Sequence, residues 1–163
     1  MYKSMFPICI LAFVFILYAD ATCPPDTYPG ANSTWCYKLY ETPMTFENAK
    51  TVCLNLNNSG NLACIHNAFE NSLIRSLISS NKTNLWWLGG YAYVHKDMWD
   101  WVGWEWVDGS SFAYNNFYKA DNTPSESDVL EINAATGYWN AVDLNNVGLD
   151  YALPFVCQLK PTQ

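Results

Sequence analysis

Positive charge is scarce in this chain. Lys and Arg together number 8 against 15 Asp and Glu, a formal net charge of −7. Such a chain repels nucleic-acid phosphates and anionic membrane surfaces, so both classes of partner are excluded. Histidine is rarer still. Only His66 and His95 are available for acid–base or metal work, and neither has His-x-x-x-His spacing. His66 precedes a helix start and His95 lies beside Lys96 and Asp97, so both read as structural or surface residues. Ser110-Ser111 follows Gly109 outside a Gly-x-Ser-x-Gly context. There is no glycine-rich phosphate loop and no carboxylate pair that sequence alone sets face to face. The chain is therefore read as a binding protein and not an enzyme, with no cofactor. Internal repeats and low-complexity linkers are also missing, which leaves one domain. Beyond Tyr18 no apolar run is long enough to cross a bilayer.

The apolar run before that point has another meaning. Lys3 precedes Phe6 to Tyr18, and Ala19-Asp20-Ala21 puts small residues where a signal peptidase reads. Residues 1–21 are expected to be a signal peptide and 22–163 a single secreted, extracellular domain. Half of the chain is hydrophobic and 17% is aromatic, ample material for a core. Cys9 leaves with the signal, and Cys23, Cys36, Cys53, Cys64 and Cys157 remain. Most should pair in an oxidising compartment. No cysteine lies between Cys64 and Cys157, so one bridge joins the N-terminal half to the far C-terminus. Sequons at Asn32, Asn57 and Asn81 suit a glycosylated outer surface.

Periodicity places two helices before a run of strands. Thr34 to Glu41 alternates, with Trp35, Tyr37 and Leu39 on one face and Cys36, Lys38 and Tyr40 on the other. Thr45 offers a hydroxyl cap to a helix whose apolar stripe is Phe46, Ala49, Cys53 and Leu56, ended by Asn58-Ser59-Gly60-Asn61. Leu62 to Ile65 reads as an apolar link. A second helix spans Ala68 to Ser80, capped by Asn67 with Glu70 at capping-box spacing. Phe69, Leu73, Ile74, Leu77 and Ile78 form its expected core face. Strands follow at Leu85–Leu88, Trp104–Val107, Val129–Ile132, Gly137–Trp139 and Ala152–Leu159. This is an α+β pattern with an antiparallel sheet. One of Trp104 and Trp106 is expected in the core. Trp99 and Trp101 are expected in a loop, where they either carry a ligand or pack the lobe.

The order of these features resembles the C-type lectin-like domain. Cys23-Pro24 and Trp35-Cys36-Tyr37 resemble the N-terminal hairpin of its long form. Thr45-Phe46-Glu47-Asn48-Ala49-Lys50 with Cys53 resembles its first helix. Trp87-Leu88-Gly89-Gly90 is similar to its Trp-Ile-Gly-Leu strand, and Trp104-Glu105-Trp106-Val107-Asp108-Gly109 to its Trp-x-Trp-x-Asp-Gly segment. Trp139-Asn140 and Phe155-Val156-Cys157 resemble its late strands. The resemblance implies two helices packed on antiparallel sheets, Cys23 paired with Cys36, Cys53 paired with Cys157, and a loop-rich ligand-binding lobe near Ala92 to Asn140. Cys64 is then a buried free thiol or an intermolecular bridge.

Some members of the family bind sugars through calcium, and here the chain departs from their pattern. Thr123 and Ser125 flank Pro124 in place of an acid and an amide, Ala141 stands where an aspartate follows Trp-Asn, and the family's inner disulfide has no cysteines. Asp121, Asn122, Glu126, Asp128 and Asn140 are the oxygen donors left to a remodelled site, which would need about six to eight ligands. The leading expectation is a secreted recognition protein for glycans or an extracellular protein surface without the usual calcium site. A defence or surface-contact role follows only by family analogy. The alternatives are a calcium-dependent lectin with a remodelled site and a toxin-like or inhibitor-like protein-binding module. Made in a secretory host, the protein should begin at Thr22 and lose mass on deglycosylation. Intact-mass measurement checks both, and secreted protein that still begins at Met1 refutes the signal peptide.

Overall fold

Side chains of one strand feed two separate cores. The computed structural model describes residues 22–31, 34–56, 59–81, 83–96, 101–119, 123–148 and 150–162. The signal segment, Asn32 and Asn57 therefore lie outside the described residues, while Asn81 is half-buried. After a short strand β1 (Tyr28–Pro29), strand β2 (Cys36–Met44) pairs antiparallel with the last strand, β8 (Leu153–Leu159). Tyr37, with Trp35 and Leu39 beside it, packs into one hydrophobic cluster, and Tyr40 into the other. That split follows from the two-residue period of an extended chain.

Helix α1 (Phe46–Leu54) covers one side and buries Phe46, Ala49 and Cys53, the expected stripe. Two details differ from expectation. Thr45 occupies the N-cap position, but its side chain makes no capping hydrogen bond. The helix also ends at Leu54, so Leu56 reaches the core from the following turn. Strand β3 (Asn61–Leu62), expected as a link, pairs with β8. Helix α2 (Ala68–Ile78) is capped as expected: Asn67 Oδ1 accepts from Glu70 N–H at 3.0 Å. Its buried face is Asn71, Ile74 and Ile78, with Leu73 and Leu77 flanking. Phe69 is not on that face and is 80% exposed. At about 100° per residue it projects from the side opposite Ile74 and Ile78.

The strands form one eight-stranded sheet ordered β1-β2-β8-β4-β6-β7, with β3 joined to β8 and β5 to β4. Here β4 is Leu85–His95, β5 Trp101–Trp106, β6 Asp128–Asn133 and β7 Trp139–Asp143. The ladders are antiparallel except for β4 beside β8, paired in parallel at Trp87 and Phe155. A purely antiparallel sheet was expected. The exception arises because the chain's last strand inserts between β2 and β4. A four-residue helix, α3 (Leu144–Val147), adds a third helix to the expected pair. The architecture remains α+β. Strand β4 is much longer than Leu85–Leu88. Gly89-Gly90 lies in its middle, where close packing demands glycine: a Cβ would meet Leu62 O at 2.8 Å at the first and Leu130 Cδ1 at 2.2 Å at the second.

Cys23 is bonded to Cys36 and Cys53 to Cys157. The second bridge closes a separation of 104 residues, which on the chain-entropy model stabilises the fold by about 4 to 5 kcal/mol. Cys64 is a free thiol, buried, with Sγ 3.3 Å from Leu62 O. Burial pushes its pKa well up, and no thiol so enclosed can reach a second chain. That removes the intermolecular alternative.

An aromatic cluster braces the lobe where the family's inner disulfide is missing. Trp106 and Trp139 meet edge to face at 5.6 Å, and Phe112, Tyr114 and Phe117 ring Trp139 at 6.1, 5.6 and 5.7 Å. Trp104 joins through Phe117 at 5.5 Å. Trp104 and Trp106, two residues apart, share a strand face, so both pack here and only the second is fully buried. The two central indoles differ in one respect. Trp139 Nε1 donates to Asn71 Oδ1 at 2.7 Å, whereas Trp106 Nε1 is buried without a partner. Trp139→Phe leaves an acceptor orphaned and Trp106→Phe removes an orphan. The first should cost more stability than the second by about 1 to 2 kcal/mol. Denaturant unfolding of both variants measures this, and equal losses contradict it.

Candidate functional site

The oxygen donors predicted for calcium do not converge among the described residues. Glu126 is exposed on the turn before β6. Asp128 opens β6, is buried, and accepts from Ser125 N–H through Oδ2 at 2.8 Å. Burial raises its pKa, the facing Asp143 adds to the rise, and the Ser125 N–H opposes it. Asp143 is itself engaged, accepting from Ser127 Oγ and capping α3 through Asn145 N–H at 2.9 Å. Asn140 lies in β7, opposite Glu131 of β6, and donates to Glu131 Oε1 at 3.0 Å. Tyr151 Oη donates to the other oxygen, Glu131 Oε2, at 3.1 Å. Glu131, which sequence reasoning missed, is only 4% exposed. Burial raises its pKa against the effect of both hydrogen bonds, while Tyr151 is pushed up to about 12 by burial and by the Glu131 charge. Asp121 and Asn122 lie outside the described residues. Among the described residues no three His, Cys, Asp or Glu side chains are placed to hold a metal ion. Among the described donors Asp128 and Asn140 are engaged by neighbours, and Ala141 offers no carboxylate.

A second polar network ties the lobe to α2. His66 Nε2 is 2.7 Å from Ser110 Oγ, and His66 Nδ1 is 3.3 Å from Glu70 Oε2. The order Ser–His–Glu looks like a nucleophile relay, but the Ser110 hydroxyl donates to Asp108 Oδ1. Its proton faces away from the imidazole, so the serine is held and not activated. Asp108 Oδ2 also accepts from Gln158 Nε2 at 2.9 Å. Burial alone would raise the Asp108 pKa, yet the Ser110 hydrogen bonds, aided by Cys64 and His66, hold it below its ordinary value. This network positions the turn after β5.

Aromatic and acidic groups gather instead on the β4–β5 hairpin. The register pairs Tyr91 with Glu105, Tyr93 with Gly103 and His95 with Trp101, and all six share one face because each is two residues from the next. Trp101, expected in a loop, opens β5 and is 50% exposed. Its indole stacks on His95 at 3.9 Å and 10°, and lies over Gly103, where a Cβ would come within 2.2 Å of Cζ3. Tyr91 Oη donates to Glu105 Oε2 at 3.1 Å, and Glu105 Oε1 is 3.5 Å from His95 Nε2. A cleft of about 330 Å³ opens beside this face, bounded by His95, Trp101, Trp104, Glu105 and the segment Gly109–Phe112. Trp99 lies outside the described residues.

A sheet with its last strand at the centre, the helices α1 and α2 beside the short α3, and a disulfide from α1 to that strand set the frame for comparison. A family profile described as "Lectin C-type domain" matches residues 42–159. The chain belongs to the C-type lectin domain family. Among relatives of this C-type lectin domain protein, "Snaclec agglucetin subunit alpha-1" of Deinagkistrodon acutus is 32% identical over 154 residues, covering 93% of this chain and 94% of that protein. "Galactose-specific lectin nattectin" of Thalassophryne nattereri is 31% identical over 128 residues, covering 75% and 74%. The crystal structure of human lithostathine superposes with a TM-score of 0.67 at 25% identity, covering 87% of this chain and 93% of that one.

The buried Glu131 gives this lectin domain a pH signature. Its carboxyl pKa is raised in the folded state, so the folded chain holds the proton more tightly than the unfolded one. Its contribution to stability then falls as pH rises above the ordinary value of 4.5. Glu131→Gln abolishes that titration and can still accept from Asn140. The melting temperature of the variant relative to wild type should climb from below pH 4.5 towards neutrality. A difference that stays constant over that range refutes the assignment.

Proposed function

We propose that this protein is a secreted recognition protein that binds a glycan or an extracellular protein surface without the family's calcium-dependent sugar site, and that it is not an enzyme. The observation that carries the reading is the commitment of the β6–β7 donors to one another. Asn140 and Tyr151 both bond to buried Glu131, and Ala141 supplies no oxygen beyond its backbone. A calcium ion there would have to break those bonds and desolvate a carboxylate already enclosed. Two disulfides and three sequons support an extracellular setting. The name of nattectin describes a galactose-specific lectin, which supports a glycan among the ligands.

A working ion site stabilises the folded state by mass action. The melting temperature should therefore change little between millimolar calcium and excess chelator, and ligand binding should survive chelation. Differential scanning fluorimetry and a glycan array run in both buffers measure this. A rise of several degrees with calcium, lost in Asn140→Ala, restores the calcium-dependent alternative.

A further inference from the structure

We infer that the cleft between the start of α1, the start of β6 and α3 binds a small organic amine, with its ammonium on Asp128 and Glu126 and its apolar body against Phe46, Leu144 and Tyr151. The site lies apart from the hairpin cleft, and it holds whether or not recognition elsewhere on the domain needs calcium.

Three observations carry it. The first is shape. Two cavities, of about 220 and about 310 Å³, share Phe46, Glu47 and Leu144 as a common wall. The larger alone reaches the lower end of the about 300 to 1,000 Å³ typical of small-molecule sites. The second is the division of polarity along the cleft. Its smaller end is aromatic. Phe46 and Tyr151 both meet the buried Trp87 edge to face, at 5.8 and 5.5 Å, and the Tyr151 hydroxyl is bonded to Glu131. Rings held in this way lose little freedom when a ligand arrives. The larger end is lined by Ala92 and Val129 and carries the charges. Lys50 is paired with Glu47 at 3.0 Å, and among the described residues no cation pairs with Asp128 or Glu126. The third is Asp128 itself, which is 7% exposed. Ser125 N–H takes its Oδ2. Its Oδ1 has no donor among the described residues and, not being enclosed, opens on the cleft. Burial raises the pKa of this carboxyl and the facing Asp143 adds to the rise, as expected of a charge short of partners. An ammonium supplies both the counter-charge and the missing donor. A fatty acid is repelled by both carboxylates, and a neutral ligand of the same shape leaves the buried charge uncompensated.

The test uses the secreted full chain and ligands that share one indole body: tryptamine, a cation; tryptophol, neutral; and indole-3-propionate, an anion. Titration calorimetry in excess chelator measures each on wild type and on Asp128→Asn, Glu126→Gln, Leu144→Ala and Phe69→Ala. The last removes an exposed ring on α2 and is the control. Melting temperatures confirm that each variant is folded. Glu126 is exposed, so Glu126→Gln carries the test should Asp128→Asn misfold. Tryptamine should bind at least about tenfold more tightly than tryptophol, the margin of one charge-assisted hydrogen bond, and indole-3-propionate should not bind. Asp128→Asn should erase that margin and Glu126→Gln should narrow it. Leu144→Ala should weaken tryptamine and tryptophol alike, and Phe69→Ala should change neither. Equal binding of all the indoles overturns the inference, as does tryptamine binding that both carboxylate variants retain, or no tryptamine binding at millimolar concentration. Displacement of tryptamine by millimolar calcium assigns the carboxylates to a metal ion and overturns it too.

Discussion

All seven residues from Leu153 to Leu159 are buried, and that strand is the constraint on which the rest of the molecule depends. It lies between β2 and β4, pairs with β3 at Cys157 and Gln158 on the side away from β2, and carries the cysteine that bonds to α1. Its side chains divide between the two cores: Phe155 and Cys157 towards α1, Val156 towards α2. Gln158 shows why the strand cannot be replaced by an apolar filler. It accepts from Cys64 N–H at 2.8 Å and donates to Asp108 at 2.9 Å, satisfying the buried Cys64 N–H and the second oxygen of half-buried Asp108. Through Asp108 it reaches Ser110 and His66, and so the base of the hairpin that presents Trp101.

The upper lobe is held by a different kind of force. A disulfide fixes two points, whereas the cluster around Trp139 fixes a surface. Trp104, Trp106, Phe112, Tyr114 and Phe117 come from β5 and from the irregular segment that follows, so ring packing holds a stretch of chain that has few ladder bonds, helped by the Ser110 network at its start and by Asn116 near its end. The Asn71 bond to Trp139 ties that packing to α2. Below the rings, Glu131 is enclosed with Asn140 and Tyr151. The lobe thus commits its buried polar groups to its own cohesion.

The sequence was most legible where one periodicity ruled. The α1 stripe Phe46, Ala49, Cys53 and the Asn67–Glu70 cap are both recovered in the structure, because local hydrogen bonding and one buried face decide them. The fold class was readable from the order of motifs. Phe69 departs from expectation because its angle on the helix sets it opposite Ile74 and Ile78, apolar though it is. The extent of β4 was hidden by Gly89-Gly90, where the demand for glycine comes from Leu62 and Leu130, far away in sequence. Trp101 was read as a loop residue, since its cross-strand partner, His95, is visible only once the hairpin closes. Glu131 gave no signal at all. A buried carboxylate is recognisable only by its partners, and Asn140 and Tyr151 lie 9 and 20 residues away.

The placement of Cys64 sets an order of events. Its backbone N–H is bonded to Gln158, on the strand that completes the sheet. Until that strand arrives, the cluster around the thiol lacks Val156, and three other N-terminal cysteines, Cys23, Cys36 and Cys53, share its part of the chain. During synthesis from the N-terminus, Cys53 waits for a partner 104 residues downstream, with Cys64 available as the wrong one. Docking of β8 therefore performs two acts at once: it delivers the correct thiol and it withdraws the competing one from exchange.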